Sequence, residues 1–183
     1  IKSMTAQELI DRYNISLELD AKGKPTGRAR ISNVKQAEKD NAKAEIMRRA
    51  PEYKALLMQQ WQAKQDAAAA RQAKIDAIPG LSEIRAANKD LAAWREEFNR
   101  SFDDVGGLGV RPKPTVDISA LLAQYPRAAA YLKAEEYSYA SHYIKAAAGR
   151  KALEQIIDGA DPAQALSEME KTWGDYCDEH IWD

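Results

Sequence analysis

Three features of the sequence predict a mainly α-helical fold. Helix-forming Ala, Lys, Glu, Gln and Arg are abundant, whereas the 183 residues include only nine glycines and two phenylalanines. From Asn33 onward, apolar residues recur at helical spacing. Residues that start or stop helices bracket those runs. The predicted architecture is a short N-terminal β-hairpin, a long central antiparallel αα-hairpin and a C-terminal helical bundle. With 45% apolar and 30% charged residues, the composition argues against wholesale disorder.

Each element has its own signal. Ile1-Lys2-Ser3 read as vector-derived residues ahead of a native Met4. Thr5-Ala6-Gln7-Glu8 forms a capping box for a short helix ending near Tyr13. "ISLEL" and "RARIS" then alternate apolar with polar residues around "DAKGKPTG", which predicts a β-hairpin leaning on neighbouring helices. A helix from Asn33 breaks before Pro51, where a second begins and runs to Ile78, a length of about 40 Å. Its apolar positions are Tyr53, Leu57, Trp61, several alanines, Ile75 and Ile78. Pro79-Gly80 stops it, and Leu81, Ile84, Leu91, Trp94, Phe98 and Phe102 mark the next helix.

Three glycines and two prolines among the fifteen residues of "DDVGGLGVRPKPTVD" predict a linker at 103–116 between parts 4–102 and 117–183. Beyond it, Asp117 caps a short helix and Pro126 opens another. A longer helix is predicted from about Tyr139 to Asp158, ending at Gly159. Asp161-Pro162-Ala163-Gln164 starts a last helix that buries Leu166, Met169, Trp173 and Tyr176 or Cys177.

Net charge is −1, but the charges are segregated. From Lys22 to Lys54 there are ten Lys/Arg against four Asp/Glu; from Asp158 to Asp183 there are eight Asp/Glu against Lys171 alone. Such blocks bind partners of opposite sign, or each other, or are simply solvated helix faces. No apolar run approaches a bilayer span, and the single Cys177 fits a reducing cytoplasm.

Chemical motifs are scarce. "CDEH", Cys177 to His180, has metal-like spacing, but His142 is the only other His or Cys, so no metal is predicted. "GGLG" lacks the Gly-Lys-Ser/Thr ending and the preceding strand of a phosphate loop. No catalytic residue and no cofactor site are expected. "YSYASHY", Tyr137 to Tyr143, reads first as the polar edge of a core and second as a binding surface, with His142 solvated. Tyr139, Tyr143, Arg150 and Trp182 are candidate partner-binding anchors, with Asp175, Asp178, Glu179 and Asp183 as acidic steering groups. The alternative is nucleic-acid binding through Lys22, Lys24, Arg28 and Arg30 around the hairpin.

"RQAKIDAIPGLSEI", "YPRAAAYLKAEEYSYASHYIKAAAGRKALEQIIDG", "YCDEHIWD" and the sparser "LIDRYNISLELD" together resemble a family of small phage and mobile-element proteins of gut bacteria. Proteins of that setting include anti-CRISPR inhibitors, which bind an RNA-guided effector nuclease and block DNA loading or cleavage. The resemblance therefore implies a non-enzymatic, cytoplasmic inhibitor or adaptor whose partner is a host protein such as that nuclease or its guide-RNA complex. It brings no catalytic residues with it.

Overall fold

The computed structural model describes residues 1–105 and 112–180, with side chains for 1–100 and 112–180. Among the described residues it holds eight helices and one two-stranded antiparallel sheet. The fold is mainly α with a short N-terminal β-hairpin. In chain order the elements are α1 (Ala6–Tyr13), β1 (Ile15–Leu19), β2 (Pro25–Ile31), α2 (Gln36–Arg48), α3 (Ala50–Asp76), α4 (Leu81–Val105), α5 (Ile118–Gln124), α6 (Pro126–Ser138), α7 (Tyr143–Ile157) and α8 (Pro162–His180). The chain divides into two compact units, 1–70 and 71–183.

The first unit begins at the predicted capping box. Thr5 Oγ1 accepts the amide of Glu8, whose carboxylate accepts the amide of Thr5. Asn14, in the left-handed conformation, ends α1 and turns the chain into β1. Leu9, Ile10, Tyr13, Ile15, Ile46 and Tyr53 form the core of this unit. Ile15 pairs with Ile31, Ser16 with Arg30 and Leu17 with Ala29, after which the register shifts so that Leu19 faces Pro25. The shift is a bulge in β2 at Thr26-Gly27-Arg28, where Gly27 has φ 88° and Thr26 donates its hydroxyl to Glu18 O. β2 thus starts at Pro25, inside the stretch that reads as connection in sequence. Arg49, itself buried, separates α2 from α3, donating to the Met4 carbonyl and the Glu52 carboxylate. Buried Glu45 is held by Arg48 through two hydrogen bonds.

In the second unit, Ile75 near the end of α3 and Ile78 just beyond it join Leu81 and Ile84 at the start of α4 in one core around the Pro79-Gly80 turn. Gly80 has φ 77°, and the ring of Tyr125 occupies the space where a Cβ would lie. The long αα-hairpin is therefore seen at its turn. Between Trp61 and Ile75 the alanine-rich middle does not pack: residues 62–74 of α3 are exposed throughout. Tyr53, Leu56 and Leu57 serve the first core, and Ile75 serves the second. The alanines between them form a solvated helix. Beyond the turn, α4 packs with α5 and α6, and α6, α7 and α8 pack with one another. α4 takes in residues 103–105 of the expected linker, most of whose remainder lies outside the described residues.

Small residues set the spacing of that bundle. Ala128, Ala130 and Ala134 of α6 and Ala148 and Ala152 of α7 are buried. Their short side chains admit close helix approach. Arg127 donates to the carbonyls of Ile156 (3.0 Å) and Ala160 (2.9 Å), tying the start of α6 to the end of α7 and the chain just past it. Asp161 Oδ2 accepts the amide of Gln164 at the start of α8, as the sequence predicts.

Candidate partner-binding surface

The surface is organised by Gly149. A Cβ there would lie 2.4 Å from the Ser138 amide nitrogen and 2.7 Å from the Tyr137 carbonyl carbon. Glycine therefore lets α7 cross directly against the last turn of α6. The helix predicted from about Tyr139 starts instead at Tyr143, after α6 ends at Ser138. Tyr139 to His142 form the connection between them. The helical faces expected for Tyr137 through Tyr143 are replaced by a corner that leaves Tyr139 82% and Tyr143 69% exposed.

His142 is the N-cap of α7, half-buried rather than solvated. Its Nδ1 accepts the amide of Ile144 at 3.2 Å. The imidazole lies at the centre of an aromatic cluster, with ring centroids 5.0 Å from Tyr143, 5.1 Å from Trp173 and 4.9 Å from Tyr176. Trp173 stacks on Tyr176, and Tyr176 lies 4.6 Å from His180. The Lys145 ammonium sits 4.7 Å from the Tyr137 ring and 5.8 Å from that of Trp173, a cation over two π-faces. Desolvation, followed by the charge and hydrogen bond of Tyr143, pushes the Tyr176 phenol above its usual range. Trp173 and Tyr176, expected as core, are instead only half-buried. Met169 and Cys177 are the buried positions of α8 on that side.

Acidic groups flank these rings. α8 carries Glu168, Glu170, Asp175, Asp178 and Glu179 against Lys171. Asp175, Asp178 and Glu179 are exposed on the same turns as Tyr176. Asp175 accepts from Lys171 at 2.8 Å, a solvent-exposed pair of small energetic weight. Arg150 is exposed seven residues after Tyr143, two turns along the same side of α7. A groove of about 220 Å³ opens between α7 and α8, floored by Ala148, Ala152, Ala165 and Met169 and bordered by Lys151 and Glu168.

Of the anchors expected from sequence, the structure thus places Tyr139, Tyr143, Arg150, Asp175, Asp178 and Glu179 on the exposed parts of α7, α8 and their approaches. Trp182 and Asp183 lie outside the described residues. The sequence reading missed His142, Lys145, Trp173, Tyr176 and His180 as one cluster. The signal was available in the spacing of Trp173, Tyr176 and His180 at i, i+3 and i+7. Lys22, Lys24, Arg28 and Arg30 are all exposed on the hairpin of the first unit. Among the described residues, no three His, Cys, Asp or Glu side chains converge as a ligand set, and no helix is long and apolar enough to cross a membrane. No protein-family model, curated protein or solved structure compared with the chain matches it significantly.

Proposed function

We propose that this chain is a non-enzymatic protein-binding inhibitor or adaptor encoded by a mobile element, and that it engages a cationic protein surface through α7 and α8. The observation that carries this reading is the acid-flanked aromatic cluster around His142, with Tyr143 exposed at its edge and Tyr139 exposed beside it. Tyr, Trp and Arg concentrate binding energy when a partner desolvates them, and exposed carboxylates mainly accelerate encounter. Packed against one another, the rings restrict each other's rotamers, which lowers the side-chain entropy lost on binding.

The groove that holds DNA or RNA in a nuclease is a surface of the complementary sign. An RNA-guided effector nuclease is accordingly the first target to test, and its name rests on the phage and mobile-element resemblance alone. The test is affinity capture from cells containing a type II CRISPR system, followed by a DNA-cleavage assay on the captured nuclease. The proposal expects co-purification and loss of cleavage. A nuclease that neither co-purifies nor slows in molar excess of this chain removes that target.

A further inference from the structure

The first unit carries a second surface, on the face of the hairpin that turns away from its core. Ile15 is buried, and Ala29 and Ile31 pack against the core of that unit. Ile15 pairs with Ile31 and Leu17 with Ala29, so these four residues share the inner face. Ser16 and Arg30, paired between them, lie on the outer face, and Arg28, two residues back from Arg30, is exposed as well. The tip stands clear of the core, since every residue from Leu19 to Lys24 is exposed.

Asp20 fixes the shape of that tip. Its Oδ1 accepts the amides of Lys22 (2.8 Å) and Lys24 (2.9 Å), and Gly23, with φ 77°, donates its amide to the Asp20 carbonyl. At the bulge, Thr26 Oγ1 accepts the amide of Arg28 at 3.3 Å. Residues 15–31 carry Lys22, Lys24, Arg28 and Arg30 against Glu18 and Asp20. Among the described residues, no carboxylate forms an ion pair with any of the four cations. Carboxylates farther away than about 8 Å are largely screened at physiological salt, so this local balance decides the sign of the surface.

We infer that the tip and outer face of this hairpin bind duplex DNA from the major groove, with Lys22, Lys24, Arg28 and Arg30 on phosphates. That groove, about 12 Å wide, admits a two-stranded ribbon, whereas the major groove of an RNA duplex is too narrow. Neither strand, "ISLEL" or "PTGRARI", has an aromatic ring on which the unpaired bases of a single strand could stack. An acidic protein would meet the same cations. Ser16 and Glu18 beside them give it no apolar anchor on that face, and phosphate contacts need none. Glu18, on the outer face by strand alternation, opposes phosphate and so reports on how close the DNA comes.

The test is fluorescence anisotropy of a labelled DNA duplex of about twenty base pairs, titrated with the full chain between about 50 and 200 mM salt. Four phosphate contacts predict a slope of log affinity on log salt of about −3.6, a loss of about a hundredfold over that range. Arg28→Gln/Arg30→Gln should weaken binding and reduce the slope by about 2, while Glu18→Gln should tighten binding. Lys89→Gln, exposed in the other unit, should change neither, and circular dichroism checks that each variant is folded. No binding at the low-salt end, binding indifferent to salt, or equal binding by the double arginine variant would each overturn the inference. So would a single strand or an RNA duplex of the same sequence bound as tightly as the DNA. Polyglutamate bound more tightly than the duplex would overturn it in favour of an acidic protein.

Discussion

Gly149 and Gly174 are both helical glycines, yet their surroundings are opposite. A Cβ at Gly149 meets the backbone of Ser138 and Tyr137, whereas one at Gly174 meets nothing within 4 Å. Gly149→Ala should therefore destabilise the second unit by about 1–3 kcal/mol through overpacking. Gly174→Ala should stabilise α8 by about 0.5–1 kcal/mol through lower backbone entropy in the unfolded chain. Urea denaturation of the two variants measures both, and a stabilising Gly149→Ala would show that α6 and α7 do not need this contact. A second residue-scale prediction concerns acid. The hydrogen bond from Arg48 holds Glu45 below the usual carboxylate range, and that from Arg49 does the same for Glu52. A depressed folded value means that the stabilisation is complete above the unfolded value near 4.5 and is lost as pH falls below it. Amides of the first unit should lose protection as pH falls below 4.5, and Glu45→Gln should flatten that dependence. Unchanged acid sensitivity in Glu45→Gln would assign it to other carboxylates.

Elements that rest on local chemistry were legible in the sequence. The Thr5 box, the Pro126 start and the Asp161 cap all appear where spacing and residue type place them. The break between α6 and α7 was legible, but the start of α7 was read four residues early, near Tyr139, because "SYAS" contains no Gly or Pro to mark the connection. Tertiary contact decides it: Gly149 admits the crossing, and His142 supplies a cap that Ser or Asp would have signalled more openly. The β2 bulge was hidden because Gly27 falls in a Gly/Pro stretch that reads as loop. The aromatic cluster was missed for a related reason. Helical periodicity assigned Trp173 and Tyr176 to a core, but the cluster they join lies at the edge, around a loop residue. The exposed middle of α3 yields a further prediction. Residues 62–74 are exposed, supported by side-chain bonds within the helix such as Gln62 to Asp66 and by the exposed ion pairs of Arg71 with Glu154 and Lys74 with Asp158 near its end. Hydrogen exchange should be faster in that middle than near Tyr53 or Ile75, the reverse of ordinary end fraying. Uniform protection along α3 would mean that the segment is covered in solution.

At the scale of the whole molecule, opposite charge is carried by different units. The exposed cations Lys22, Lys24, Arg28 and Arg30 belong to the first, and the acid-flanked aromatic cluster belongs to the second. The account gives them different partners, so variants in one surface should leave binding at the other unchanged. The central claim is that Tyr139 and Tyr143, beside the cluster around His142, anchor a protein partner. Its most direct test is calorimetric titration of a purified, guide-loaded effector nuclease with the wild-type chain and with a Tyr139→Ala/Tyr143→Ala variant, alongside DNA cleavage. Both tyrosines are more than two-thirds exposed, so the substitutions should spare the fold. The account predicts inhibition by the wild type and an affinity lower by at least about tenfold, roughly 1.4 kcal/mol, in the variant. Equal affinity of the two proteins, or full cleavage in molar excess of the wild type, would contradict it.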